Sequence, residues 1–192
     1  MEYSQKTKAL GITLLELLSE ALGLKSFHLK EIDFAEDHKL YCHYYPPCPE
    51  PELAIGVPKH TDRNFITILL QDQIGGLQVL YENQWIGVPP IHGALIVFVG
   101  DFLELATNDK FISVPHRVLA NQQGPKVSVT CVFNAPSQTA EGAPRLYAPI
   151  KELLSDGNPS IYREITYEDY LSHRLQNGVD GNSPLLRPGM LI

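Results

Sequence analysis

Two hydrophobic periods divide the chain. From Ile12 to Leu22 (ITLLELLSEAL) apolar residues recur three and four apart, the spacing of one helix face, and Gly23 is a natural stop. A shorter helical signal runs from Ser26 to about Ala35. The period then changes. Leu40–Tyr45 (LYCHYY) reads as a strand ending at Pro46-Pro47, and Pro46 to Pro58 is turn-rich. Phe65–Leu70 (FITILL) is β-branched and apolar. Gly75-Gly76 opens a strand over Leu77–Tyr81, and Glu82-Asn83 turns it into Gln84–Val88 as a hairpin. Ala94–Val99 (ALIVFV) reads as a buried strand. Val114–Leu119 and Val127–Phe133 are two more, with Gly124-Pro125 between them. A last helix over Tyr167–Gln176 starts at Thr166, with Asp169 three residues on as in a capping box. Helices, then seven or eight short strands, then a helix predict a mainly β fold. It is a sandwich or jelly roll with helices packed outside.

The expected organisation is a helical segment over 1–36, a β domain over 37–176 and an irregular tail over 177–192. A chain of 192 residues with 44% hydrophobic and 19% charged residues is ordinary for one domain with a real core. The net charge of −7 without a basic block argues against nucleic acid and against an anionic membrane surface. No apolar run reaches the length of a membrane span, and residues 1–25 carry no signal-peptide pattern. Cys42, Cys48 and Cys131 are odd in number and make no CxxC pair. Reduced thiols and a cytoplasmic location are expected.

The candidate chemistry starts at His60-Thr61-Asp62 and His116. Two imidazoles and one carboxylate on one face of a metal, with other positions open, are the ligand set that non-haem Fe(II) uses with dioxygen. Residues i and i+2 of a strand share a face, so His60 and Asp62 would point together and Thr61 away. The third ligand must come from another strand, and His116 lies on one. Alone, an HxD is a weak signal. His28, His38, His92 and His173 have no such partner in the sequence and read as structural or exposed.

Period two also places Lys126, Ser128, Thr130 and Val132 on one side of a strand. Lys126 reads either as a solvated strand-start lysine or as a charge-assisted anchor for a carboxylate, with Ser128 either a small filler or an added hydrogen bond. His43 and Tyr45 share a face on an earlier strand, Tyr45 being either a core-edge tyrosine or a donor to the same ligand. Val132, Phe133 and Phe65 are candidate walls of a substrate pocket. Phe133 points opposite to Lys126, which favours core packing for it.

Several stretches together resemble the plant-type 2-oxoglutarate/Fe(II)-dependent dioxygenases, in the branch of 1-aminocyclopropane-1-carboxylate oxidase homologues. They are His43 to Pro49 (HYYPPCP), Lys59 to Asp62 (KHTD), Gln71 to Leu80 (QDQIGGLQVL), Asn108 to Phe111 (NDKF) and Ser113 to Asn121 (SVPHRVLAN). The resemblance implies a double-stranded β-helix, a jelly roll with flanking helices. It implies Fe(II) on His60, Asp62 and His116, and 2-oxoglutarate on Lys126, Ser128 and Tyr45, with His43 beside them. Ascorbate is implied as an auxiliary. The implied reaction is oxidation of a small organic substrate by dioxygen, commonly hydroxylation, with decarboxylation of 2-oxoglutarate to succinate.

There are two departures. The family's Arg-x-Ser anchor has Lys126 in the arginine place, which keeps the charge but loses the two-pronged fork. Weaker 2-oxoglutarate binding, or a changed cosubstrate, is implied. The family also carries a long N-terminal helical region, of which only residues 2–24 have a counterpart here. Two further readings stay open. One is an ascorbate-dependent oxidase of the aminocyclopropane-carboxylate type. The other is a non-catalytic metal-binding jelly roll that self-associates or recruits a partner through an exposed apolar sheet face.

Overall fold

A computed structural model describes residues 2–32, 34–35, 37–176 and 185. The expected irregular tail, 177–192, lies outside the described residues except for Leu185. Helix α1 spans Glu2–Ala21 and α2 spans His28–Glu31. α1 starts well before Ile12, and an apolar period misses its first turns because the buried stripe is small or polar except at Leu15: Thr7, Gly11, Leu15 and Ser19 recur every four residues. Small residues let the helix lie close on the sheet. A Cβ at Gly11 would fall 2.0 Å from Cζ of Phe133.

The strands are β1 (His38–Tyr45), β2 (Ile55–His60), β3 (Asn64–Gln71), β4 (Leu77–Tyr81), β5 (Gln84–Gly87), β6 (Ile96–Val99), β7 (His116–Leu119) and β8 (Lys126–Asn134). They form two four-stranded sheets with orders β1-β8-β3-β6 and β2-β7-β4-β5, each antiparallel throughout. This is the expected jelly roll. A two-stranded sheet of β9 (Leu146–Tyr147) and β10 (Ile165–Thr166) completes the β structure. The hairpin turn is as read: Glu82 and Asn83 both have positive φ, 47° and 61°, which a two-residue turn between twisted strands requires.

Three differences bear on the site. The turn-rich stretch before His60 contains β2, whose pairing with β7 shifts register twice, between Ile55 and Val57 and between Val57 and His60. Pro58 is tolerated there because β2 is an edge strand. β6 is also an edge strand, and Val97 is 43% exposed, so the segment is not buried throughout. Third, helix α3 (Asp101–Thr107) was not predicted. All its residues are buried, so it has no polar face to give a helical period. Asn108 ends it in the left-handed conformation.

The main core lies on the helix side of the β1-β8-β3-β6 sheet, where Ile66, Ile68, Cys131 and Phe133 pack with Leu15, Leu29 and Phe102. The opposite face of that sheet lines a cavity between the two sheets. Helix α4 (Tyr167–Gln176) begins as expected, with the Asp169 amide donating to Thr166 Oγ1 at 3.0 Å. Among the described residues no helix is long and apolar enough to cross a membrane.

Candidate metal centre

His60 closes β2, His116 opens β7, and the two are paired across the ladder. His60 and Asp62 do face the same cavity, but Asp62 lies beyond the end of β2, so strand alternation is not what places it. Asp62 is placed by hydrogen bonds instead. The Asp101 amide donates to the Asp62 carbonyl at 2.8 Å, and Thr67 donates to Asp62 Oδ2 at 2.6 Å. Thr67 in turn accepts from Asn64 Nδ2 at 2.7 Å. Thr61 does point away, into the α3 and α4 side, where its hydroxyl donates to Asp101 Oδ2 at 3.0 Å.

One ligand atom from each of His60, Asp62 and His116 lies within 4.8 Å of the others. Both histidine Nε2 atoms are 3.7 Å from Asp62 Oδ1, too far for a hydrogen bond. Each Nδ1 faces a backbone carbonyl, Pro58 O at 2.8 Å and Val114 O at 3.1 Å. Donation there puts the proton on Nδ1 and leaves the Nε2 lone pair for a metal. Burial, and then the neighbouring His116, push the His60 pKa down, which favours the neutral ring a ligand needs. Phe98 stacks on His116 with ring centroids 4.2 Å apart and fixes its plane. The donor set fits a divalent metal: two neutral imidazoles and one carboxylate oxygen converge without satisfying one another.

A clamp outside the ligands holds their loop. Asp101 Oδ2 accepts from Thr61, from Tyr170 at 2.6 Å and from Arg174 at 3.2 Å. Arg174 also donates to the Thr61 carbonyl at 2.6 Å. The sequence offered no signal for this clamp, since its parts lie on three elements far apart in the chain.

The cavity beside the three ligands measures ≈ 220 Å³. That is below the ~300–1,000 Å³ of drug-sized sites and suits a small molecule. Lys126, Ser128, Thr130 and Val132 all line it, as the period of β8 predicts. Tyr45 and His43 face them from β1, together with Tyr41, which was not singled out in the sequence. Burial pushes the Tyr45 phenol pKa up, with the neighbouring Ser128 hydroxyl opposing it, and His43 Nε2 lies 3.2 Å from Thr130 Oγ1. Lys126 is not solvated: it is 1% exposed, with Nζ 3.4 Å from Gln71 Oε1 and 3.5 Å from Asp72 Oδ1.

Two expected pocket walls are corrected. Phe133 is fully buried on the helix side of β8. Phe65 is also fully buried, stacked on Phe34 at 3.4 Å. Strict alternation would put Phe65 on the Thr67 side, but the β3 ladder shifts register between Asn64 and Ile66 and turns it into the core.

Residues 36–135, more than half of the chain, match the 2OG-Fe(II) oxygenase superfamily. The chain belongs to that superfamily. This chain is 57% identical over 186 residues to deacetoxyvindoline 4-hydroxylase of Catharanthus roseus, covering 96% of this chain and 46% of that protein. It is 55% identical over 186 residues to 1-aminocyclopropane-1-carboxylate oxidase homolog 1 of Arabidopsis thaliana, covering 97% of this chain and 50% of that one. The chain thus spans about half the length of the curated relatives it matches. Among solved structures it superposes on JOX2 in complex with 2OG, Fe and JA, with a TM-score of 0.81 and 35% identity over 95% of this chain and 52% of that one. A dioxygenase for auxin oxidation from rice gives a TM-score of 0.80 at 28% identity, covering 94% and 59%.

Proposed function

We propose that this chain is the oxygenase core that oxidises a small organic molecule using Fe(II), 2-oxoglutarate and dioxygen, with ascorbate as auxiliary. One observation carries the reading: the His60, Asp62 and His116 ligand atoms open onto the same small cavity as Lys126, Ser128 and Tyr45. Bound to the three ligands, Fe(II) supplies the dioxygen chemistry that turns 2-oxoglutarate into succinate and carbon dioxide.

The protein's own part is placement. Thr67 keeps Asp62 Oδ2 occupied and leaves Oδ1 as the oxygen that would hold the metal. The Pro58 and Val114 carbonyls hold the two imidazole tautomers. Lys126 offers a desolvated ammonium to a distal carboxylate, with the Tyr45 and Ser128 hydroxyls as further donors. Val132, His43 and Tyr41 line the cavity where a substrate would lie. A small organic substrate of specialised metabolism or hormone turnover is supported by relatives named as a hydroxylase and as a dioxygenase for auxin oxidation. The free thiols of Cys42, Cys48 and Cys131 support a cytoplasmic setting.

The test is succinate release with Fe(II), ascorbate and a panel of small aromatic and alkaloid-like acceptors. Wild type should release succinate, while His60→Ala and Asp62→Ala should neither bind iron nor turn over. Iron binding that survives both substitutions would remove the assigned ligands. Ethylene from aminocyclopropane carboxylate without 2-oxoglutarate would redirect the reading to an ascorbate-dependent oxidase.

A second reading draws on the outer face of the β1–β8 ladder. Leu40, Tyr44 and Val127 are exposed there, at 38%, 67% and 43%. Such a face supports self-association or a protein partner. Light scattering decides it, since a clean monomer that turns over would end the non-catalytic version.

A further inference from the structure

With Lys126 taken as the cosubstrate anchor, we infer that Asp72 sets how strongly the pocket holds a distal carboxylate. The pair makes the pocket a poor discriminator between 2-oxo diacids and 2-oxo monoacids of the same length. Asp72 is a fixed anion. Its Oδ2 accepts from the Val127 amide, its Oδ1 accepts from the Ile74 amide at 3.0 Å, and its own amide donates to the Val127 carbonyl at 3.2 Å. It therefore cannot swing away when a ligand enters.

Lys126 is the cation beside it, 3.5 Å from Asp72 Oδ1 and 1% exposed. The ammonium is desolvated while the Asp72 side chain is 27% exposed, so water screens part of the Asp72 charge and the carboxylate offsets Lys126 in part. An incoming carboxylate meets a partly offset cation rather than a bare one. It must still give up its hydration, and the attraction that would offset this cost is divided with Asp72.

The kind of cation matters. A guanidinium has five donors in a planar fork and can serve an internal carboxylate on one edge and a ligand on the other. An ammonium is a single point charge with three donors, and Gln71 Oε1 and Asp72 Oδ1 already face two of them. One donor is left for a ligand in the cavity that Lys126 lines. One charge-assisted bond then stands where a fork would make two. The carbon stem between keto acid and distal group meets apolar walls in any case, because Leu69, Leu77 and Val118 line the same cavity. A 2-oxo monoacid keeps those contacts and loses only the weakened ionic one.

The experiment is calorimetric titration of anaerobic, Mn(II)-loaded protein with 2-oxoglutarate and with 2-oxopentanoate, which has the same chain length and no distal carboxylate. Wild type should prefer 2-oxoglutarate by less than about tenfold. A preference of tenfold or more would overturn the inference without any variant. Asp72→Asn should tighten 2-oxoglutarate by about three- to tenfold and leave 2-oxopentanoate within about twofold. Lys126→Arg should tighten 2-oxoglutarate by about five- to thirtyfold, and in that background Asp72→Asn should add less than about twofold.

Lys126→Ala separates the two claims. If it binds 2-oxoglutarate as well as wild type does, Lys126 is not the anchor and the cosubstrate assignment itself fails. If Lys126→Ala weakens binding while a folded Asp72→Asn leaves it flat or weaker, the assignment stands and the role given to Asp72 is wrong.

Discussion

Thr67 holds the back oxygen of Asp62, donating to Oδ2 at 2.6 Å while accepting from Asn64 Nδ2 at 2.7 Å. The bond has a direction, because Thr67 has one proton and Asn64 fills its acceptor side. Asp62 is therefore oriented by β3, a different strand from either histidine's. Thr67→Val keeps the shape and removes the donor. Metal affinity should fall about 10- to 100-fold, the usual cost of losing a supporting bond to a ligand. Calorimetry with Mn(II) measures it. Unchanged affinity with an unchanged melting curve would mean that Asp62 needs no such support.

The second prediction concerns the clamp between α4 and the ligand loop. Asp101 is 1% exposed, and burial pushes its carboxyl pKa up against the Tyr170 hydrogen bond, the Arg174 charge and the Thr61 hydroxyl. Arg174 bonds to both Asp101 and the Thr61 carbonyl. Arg174→Met keeps the stem but leaves the buried carboxylate without its cation, at a cost of about 3 kcal/mol. Urea denaturation should show the loss. Pairing the substitution with Asp101→Asn should recover part of it, and simple additivity of the two would refute the coupling.

How far the chain could be read follows from which rule governed each element. On β8, unbroken alternation put Lys126, Ser128, Thr130 and Val132 on the cavity and Phe133 in the core. The same rule misplaced Phe65, because a register shift at Asn64–Ile66 is invisible to a period count. His60, Asp62 and His116 were legible as residue types, yet the reason given for Asp62 was wrong: a loop tied to α3 places it, not a strand. The start of α1 was missed because the N-terminal part of its contact stripe is Thr7 and Gly11. The α3–α4 clamp depends on tertiary pairing between Thr61, Asp101 and Arg174, and no local pattern encodes that.

The stripe on α1 gives a third prediction. Gly11 sits where the Phe133 ring fills the space of its missing side chain. Alanine would gain about 1 kcal/mol of helix propensity. It would also force the helix and ring apart, and overpacking of this kind costs about 1–3 kcal/mol. With the contact at 2.0 Å to the ring, the steric cost should win. Gly11→Ala should lower the melting temperature, and Phe133→Leu beside it should restore part of the loss. A melting temperature raised by Gly11→Ala alone would show that α1 is free to shift on the sheet.

The pH dependence of stability should carry the signature of Asp72. Burial raises its pKa, but the Val127 and Ile74 amides and the Lys126 ammonium outweigh burial, and the net shift is downward. The folded-state pKa therefore lies below the unfolded value of about 3.9. As pH falls, the unfolded chain takes up this proton first, so the stability owed to Asp72 is full above the unfolded value. It is lost as pH falls through the folded one. Asp72→Asn, which cannot titrate, should be less stable than wild type at neutral pH. The gap should close in acid, through the window below about pH 4. Urea midpoints measured between neutrality and the acid limit read this directly. Curves that stay parallel down that limb would show that the Val127 and Ile74 hydrogen bonds do not depend on the charge of Asp72.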